Sequence, residues 1–462
     1  MHSRSPPMKV DISKELIEVD ALRVGMFVHL DMSWMSHPFP LGSFKIATDE
    51  QVATIRSLGV QRVRWSPTQS DALPPVEPTG WTEQSPLDEA APVADTSSGA
   101  GVPAGAVRPA VAPTAPVLSD SPEAGTGQAR KQALASQRAA LQLCERHFAE
   151  AAHDCKRLTG LVASKPVEAR AQAEQLSKAL VDKMLGEQEL CIRLLTDAAG
   201  DKASTHALNV TIVSLLMGRT FSLVEADMLD LAVGAMLHDI GKLDLPDRMR
   251  HREDHFSGSE VRFYEEHVVH GVSRARKMGL SPGATLVVEQ HHEHADGSGF
   301  PLRLNTDRMT AAARIVSLVN RYDNLCNPNI AAHALTPHES LSVLFAQGKT
   351  KFDTAILGAF IRMMGVYPAG STVQLTDDRY AMVVGVNSTR PLKPRVLVHE
   401  ARIPRDEALI VDLESTQGLG IRRSIKPAQL PVASLEYLAP RPRVAYFFEP
   451  MAAASHDAAV AT

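Results

Sequence analysis

The chain has 462 residues, 44% hydrophobic and 5% aromatic, with a formal net charge of −5. That length excludes a single ordinary domain, and the apolar content supports substantial cores, so two to four units are expected. Lysine and arginine are scattered, which argues against duplex nucleic acid or an anionic membrane surface as partner. Scarce aromatics favour alanine-rich helical packing, so the expected class is mainly α.

Cys144, Cys155, Cys191 and Cys326 lack the close pairing of a zinc ribbon, a redox CxxC or a secreted disulfide framework. The opening Met1-His2-Ser3-Arg4-Ser5-Pro6-Pro7 is not followed by an apolar signal region. No segment reaches the ~18 continuous apolar residues of a membrane span. A cytoplasmic protein with reduced thiols is the expectation.

Residues 8–66 read as a small α+β unit with regulatory character. Val10, Ile12, Val19, Leu22, Val24, Met26 and Val28 are spaced as in short strands, Asp49 to Leu58 as a helix, and Val60 to Trp65 alternates again. From 67 to 129 the chain turns Pro/Ala/Gly-rich and loses periodicity, as a disordered linker does. A helical lead-in over 130–199 follows, with Leu141, Cys144, Phe148, Ala152, Cys155 and Leu158 at helical steps and a second helix from Pro166 through Leu195. The Leu141–Leu158 face suits either a homodimer or intramolecular packing.

Residues 200–368 form a helical core with predicted helices Thr205–Gly218, Glu225–Ile240, Ser259–Met278, Gly283–His292, Met309–Asn324, His338–Gln347 and Asp353–Met364. Over 369–449 the period changes to two, through Val373, Leu375, Met382, Val384, Val386, Val396 and Val398, which predicts a small β appendage. Residues 450–462 are expected to fray.

The chemistry concentrates in histidines. His238 and Asp239 end the apolar stretch Leu231 to Leu237, which aims a ligand pair out of a buried wall. An imidazole supplies a borderline nitrogen donor, and an adjacent carboxylate can bridge two ions with its two oxygens. His206, His267 and the doublet His291-His292 fall near the ends or inner faces of other predicted helices, the way a bundle gathers ligands. Neighbours in a helix diverge by about 100°, so the doublet can share a centre only at a helix terminus or where the backbone is locally unwound; Gly297 and Gly299 supply a terminus. Lys242, one turn beyond His238, is placed to stabilise charge on phosphoryl oxygens. His147 and His153 are read as helix-face residues outside this set.

These residues, with Gly271, Asp296-Gly297-Ser298-Gly299-Phe300-Pro301, Arg314-Ile315, Phe352-Asp353 and Tyr367-Pro368-Ala369-Gly370, resemble the HD-GYP branch of the HD metal-dependent phosphohydrolases. Residues 8–66, with Leu22-Arg23-Val24-Gly25-Met26, Trp34, Pro38-Phe39 and Phe44, resemble the small domain of unknown function often found upstream of HD-GYP domains. The resemblance implies a bacterial phosphodiesterase that opens cyclic di-GMP to linear pGpG, and in some members to GMP, at a dinuclear or trinuclear iron or manganese site. By similarity, His206, His238 and Asp239 hold one ion, and Asp239 bridges to a second held by His267, His291 and His292. Lys242 and Arg314 neutralise phosphate charge. Cyclic di-GMP and signalling proteins such as a diguanylate cyclase are the implied partners.

Three departures from the family pattern matter. Its two aspartates after Arg-Ile align with Asn320 and Asp323, so the first is a neutral amide, which can coordinate a hard ion without the carboxylate's charge. Asp323 is an alternative ligand, although it points about 60° away on the same helix. Lys202 stands where three-metal members carry a glutamate, so two divalent ions are expected, with Asn320 in the ligand set. Phe300 replaces the tyrosine of Gly-Tyr-Pro, keeping the ring without its hydroxyl. The leading expectation is a cyclic di-GMP phosphodiesterase in bacterial second-messenger signalling. The alternative is a catalytically degenerate receptor or interaction module, and a third option is hydrolysis of another phosphoester.

Overall fold

The computed structural model describes residues 15–30, 43–57, 59–71, 127–186, 189–196, 201–253, 255–348, 350–387 and 391–450. The first unit contains β1 (Glu15–Glu18), β2 (Phe27–His29), β3 (Ser43–Lys45), α1 (Asp49–Ser57) and β4 (Arg62–Trp65). Its strands pair antiparallel in the order β1-β4-β2-β3. Val19, Leu22, Met26, Val28, Ile46, Val52, Ile55 and Val63 close a small core of their own. Two details differ from the sequence reading. Residues Val19–Ala21 form a 3-10 turn instead of continuing a strand, and Val24 is exposed. Val10, Ile12, Trp34 and Pro38-Phe39 lie outside the described residues, as does most of the expected linker and tail.

The linker's edges are ordered. Asp71 donates its N–H to Gly25 O at 2.9 Å, and a long helix already begins at Gly127. That helix, α2 (Gly127–Leu161), buries Cys144, Phe148, Ala152, Cys155 and Leu158 within this chain. It packs beside α3 (Pro166–Gly186), β5 (Leu190–Leu194) and α4 (Lys202–Thr220). The predicted helix through Leu195 therefore stops at Gly186. Leu190, Cys191, Ile192, Arg193 and Leu194 are all buried, and a fully covered run of this length fits a central strand better than a helix, because strand pairing satisfies its backbone on both sides.

The helical core continues with α5 (Glu225–Leu237), α6 (Gly258–Met278), α7 (Pro282–Gln290), α8 (Ala311–Cys326), α9 (Pro337–Gln347) and α10 (Thr354–Met364). Several ends are chemically marked. Ser257 and Glu260 form a capping box on α6, and Gly279 ends it in the left-handed conformation. Thr310 caps α8, and Asp353 caps α10.

Seven antiparallel strands make the second sheet: β5, β6 (Thr372–Leu375), β7 (Tyr380–Asn387), β8 (Arg395–Val398), β9 (Ile410–Asp412), β10 (Ile421–Ser424) and β11 (Tyr446–Pro450), with the short α11 (Val432–Leu438) before the last. β5 pairs with β7 on one side and β11 on the other. Since β5 precedes the helical core and β11 follows it, one apolar cluster runs from Cys144 through the helices to Phe448. The fold is mainly α with this β element built into it. No helix among the described residues is long and apolar enough to cross a membrane.

Candidate metal centre

His238 and His291 each sit just past a helix, at the C-caps of α5 and α7. The last carbonyls of a helix lack intrahelical partners, and both rings use one. His238 Nδ1 donates to Ala235 O at 2.7 Å and His291 Nδ1 to Val288 O at 2.8 Å. His267, inside α6, does the same with Tyr264 O at 2.6 Å. A carbonyl only accepts, so each Nδ1 carries the proton and each Nε2 presents a bare lone pair.

These lone pairs converge on Asp239. Its Oδ2 lies 3.6 Å from His206 Nε2 and 3.5 Å from His238 Nε2, and its Oδ1 lies 3.6 Å from both His267 Nε2 and His291 Nε2. His206 and His238 bring their Nε2 atoms within 3.2 Å of each other, and His267 and His291 within 3.4 Å. One carboxylate thus separates two donor sets, and the ligand atoms of each set, with His292 in the second, lie within 4.8 Å of one another.

The donor chemistry fits cations. Asp239 Oδ1 and His292 Nε2 are buried with no hydrogen-bond partner, a costly state for polar atoms unless something positive satisfies them. Burial lowers the affinity of His238 and His292 for protons, and pushes His267 down to about 3. Burial opposes ionisation of Asp239, yet Lys242 and His238 hold its carboxyl well below the usual range. Neutral imidazoles and an ionised carboxylate are the protonation states that metal ligation requires.

Close backbone packing makes the convergence possible. A Cβ on Gly241 would lie 1.9 Å from His267 O and 2.3 Å from Gly271 N. Only glycine lets the 3-10 turn after Asp239 meet α6 there. On the far side, a Cβ on Gly299 would lie 2.5 Å from His292 O and His294 N. Glu293, wholly buried, accepts from Leu302 N at 2.6 Å and Leu304 N at 2.8 Å, fastening the loop beyond the doublet. Phe300 stacks on His292 with centroids 4.5 Å apart.

His206 is held differently. Its Nδ1 pairs with Asp323 Oδ2 at 2.6 Å. Asp323 Oδ1 accepts from Asn209 Nδ2 and Asn327 Nδ2, both at 2.8 Å. The same two amides donate to Val444 O and accept from Tyr446 N and Val444 N. Asp323 therefore orients a histidine, and its committed oxygens argue against its being the substitute ligand. This carboxylate–histidine arrangement is the outer support that fixes a ligand's tautomer. Asn320 is buried, and its Oδ1 accepts from Asn324 Nδ2 at 2.6 Å.

Lys242 belongs to a 3-10 turn, Ile240–Asp244, with Nζ 2.6 Å from Asp239 Oδ2 and 5.5 Å from the Tyr264 ring centroid. Burial disfavours its charge, but Asp239 and Tyr264 hold the ammonium well above its ordinary range. Arg314 is not brought to the centre. It is buried in a 2.7 Å ion pair with Asp353 and lines neither of the two cavities beside the cluster. The reason lies in α8, where the same turn that buries Arg314 sends it toward the N-terminus of α10. His147 lies on α2, 3.2 Å from Lys183 and outside both donor sets.

One cavity, about 460 Å³, opens on the His206 and Asp239 side; the other, about 850 Å³, opens on His291, His292 and Asn320. Lys242 and His251 line both. Burial, with Lys202 and Lys242 nearby, pushes His251 down to about 4. Sequence reasoning missed His251, Asn209 and Tyr264, since none has a spacing that ties it to the other histidines.

An imidazole-and-carboxylate centre set among helix ends defines a class, and the comparisons agree with it. The "HD domain" family model matches residues 114–356, and a "Domain of unknown function (DUF3391)" matches 14–173. The chain belongs to the HD-domain family. It is 26% identical over 395 residues to the cyclic di-GMP phosphodiesterase PA4108 of Pseudomonas aeruginosa, covering 83% of this chain and 84% of that one. It is 20% identical to the cyclic di-GMP phosphodiesterase PdeB of Borreliella burgdorferi, covering 50% of this chain and 62% of that one. Among solved structures it is similar to Bd1817, an HDG"Y"P protein from Bdellovibrio bacteriovorus, with a TM-score of 0.40 and 11% identity, covering 75% and 98% of the two chains.

Proposed function

We propose that this protein is a metal-dependent phosphodiesterase that opens cyclic di-GMP to linear pGpG. The observation that carries the reading is the division of Asp239, with one oxygen facing His206 and His238 and the other facing His267 and His291. Relatives named as cyclic di-GMP phosphodiesterases support the substrate.

His206, His238 and Asp239 would hold one divalent ion, and Asp239, His267, His291 and His292 the other, with Asn320 offering an amide oxygen to the shell; iron or manganese suits this mixed nitrogen and oxygen set. A bound pair supplies a water nucleophile at neutral pH and offsets the phosphoryl charge. The chain's own residues do the rest. Carbonyl anchors on the Nδ1 of His238, His267 and His291, and Asp323 on that of His206, fix these donor rings in place, so little reorganisation accompanies reaction. Lys242 balances Asp239 and opens on both cavities, where its ammonium can meet a phosphoryl oxygen. Arg314, in its pair with Asp353, acts through the fold and not through the phosphate.

Anaerobic purification, metal counting, and chromatography of cyclic di-GMP with wild type and His238→Ala test this. The wild type should carry metal and produce pGpG, and His238→Ala should do neither. A neutral amide at Asn320 favours a second reading, a cyclic di-GMP receptor with little turnover. A metal-loaded wild type that binds cyclic di-GMP but never yields pGpG or GMP would select it.

A further inference from the structure

The smaller cavity is more than an approach to His206. Three acidic residues line it, and all are committed: Asp201 caps α4 through Ser204 N, Asp239 pairs with Lys242, and Asp323 holds His206. Its remaining cations are not balanced this way. Lys202, Arg441 and Arg443 have no carboxylate partner among the described residues, and Lys202 Nζ donates only to the neutral Asn329 Oδ1, at 2.5 Å. Burial, with Arg443 and Lys242 close by, pushes Lys202 down to about 8. Packing positive charges together is unfavourable, Glu253 offsets the charge on Lys202 only in part, and an anion between them relieves it.

The backbone beside Arg443 is constrained. Pro442 precedes it, and Val444 follows with its N–H and carbonyl fixed by Asn327 and Asn209. Those amides also hold Asp323 and hence His206, so the backbone beside Arg443 and the ring of His206 belong to one hydrogen-bonded unit. Such prepositioning reduces the entropy lost when a charged side chain grips a ligand.

A cyclic dinucleotide carries two phosphodiesters on opposite sides of its ring, and only one can lie at Asp239 at a time. We propose that Lys202 and Arg443 form an anion subsite for the second phosphate of a cyclic dinucleotide whose first phosphate lies at the Asp239 centre. This rests on the cyclic-dinucleotide reading above. It makes the C-terminal segment a determinant of substrate choice, favouring ligands with two separated phosphates over simple diesters.

The test uses the full chain and the variants Arg443→Ala, Arg443→Lys and Lys202→Ala, with Arg321→Ala as a comparison from the larger cavity. Equilibrium dialysis of cyclic di-GMP against chelated protein reads binding without turnover. Steady-state kinetics on cyclic di-GMP and on bis(4-nitrophenyl) phosphate, which has a single phosphate, reads the metal-loaded enzyme. Loss of a charge-assisted contact should weaken cyclic di-GMP binding at least about tenfold in Arg443→Ala and Lys202→Ala, with partial recovery in Arg443→Lys. The KM penalty should be at least about fivefold larger on cyclic di-GMP than on the small diester.

Equal penalties on both substrates, unchanged dialysis, or a loss confined to Arg321→Ala would each overturn the subsite. A wild type that cleaves the small diester but not cyclic di-GMP removes the proposed activity, while dialysis still decides the subsite. Wild-type protein that binds no cyclic di-GMP removes both.

Discussion

The two sides of Asp239 are built from similar ligands by different means. Toward His267 and His291, backbone carbonyls orient the rings, and a stacked Phe300 and a glycine-tight loop hold the doublet. On the other side His238 keeps a carbonyl anchor, but a carboxylate orients His206, braced by two asparagines that reach the C-terminal strand. The first arrangement is local to each helix. The second is a network of side chains drawn from α4, α8 and the approach to β11, so it is more sensitive to change and couples the centre to the sheet.

The largest effect should come from removing what both sides share. Asp239→Asn is expected to lose both ions and all activity, measured by metal content and product chromatography; full retention of metal would break the bridging assignment. Arg314→Met should cost stability, about 3–5 kcal/mol for a buried pair stripped of one partner, read as a shift in the urea midpoint. Because Arg314 turns away from the cavities, KM for cyclic di-GMP should stay near wild type, and a selective rise in KM would return Arg314 to the phosphate.

Asp323→Asn tests the asymmetry directly. Loss of an outer-shell carboxylate typically costs about 10- to 100-fold in metal affinity or activity, and one ion should be affected more than the other in a titration. Equal weakening of both would erase the distinction between the two sides. Asn320→Asp should raise metal occupancy or rate severalfold where the missing charge limits binding, and no change in either would show that the amide is adequate.

A smaller, pH-dependent effect concerns the chelated protein. His267 is pushed down to about 3, with His238 and His292 also lowered, so the folded state keeps these imidazoles neutral. The unfolded chain takes up protons below about pH 6.5. Stability is therefore fully present above that pH and declines as pH falls toward 3; Asp239, held low, adds its loss only at more acidic pH. Urea midpoints at about pH 7.5 and about pH 5 should differ in this direction, and identical midpoints would contradict the buried-neutral assignment.

Much of this was legible in the sequence because it is written in local periods. The predicted helices of the core appear within a few residues of their observed ends, and the strands after Pro368 lie where the period changes to two. His206, His238, Asp239, His267 and His291 could be named because each ends or lines an amphipathic run. The strand at 190–194 was not legible, since a short run buried on both faces, with Arg193 tucked into an ion pair with Glu449, carries no period of its own. Asp323 was visible as a carboxylate near the centre, but its role depends on Asn209 and Asn327, whose partners lie far along the chain.

By itself the sequence determined the helical core and pointed to the imidazoles and the carboxylate that the structure gathers, because residue type and helical spacing are local. Only the tertiary structure decided that Asp323 supports His206, that Arg314 faces Asp353, and that Arg443 lines the cavity beside the centre. Those outcomes depend on pairings between distant segments, brought together when β5 and β11 close one sheet around the helices, and no local pattern encodes such a meeting.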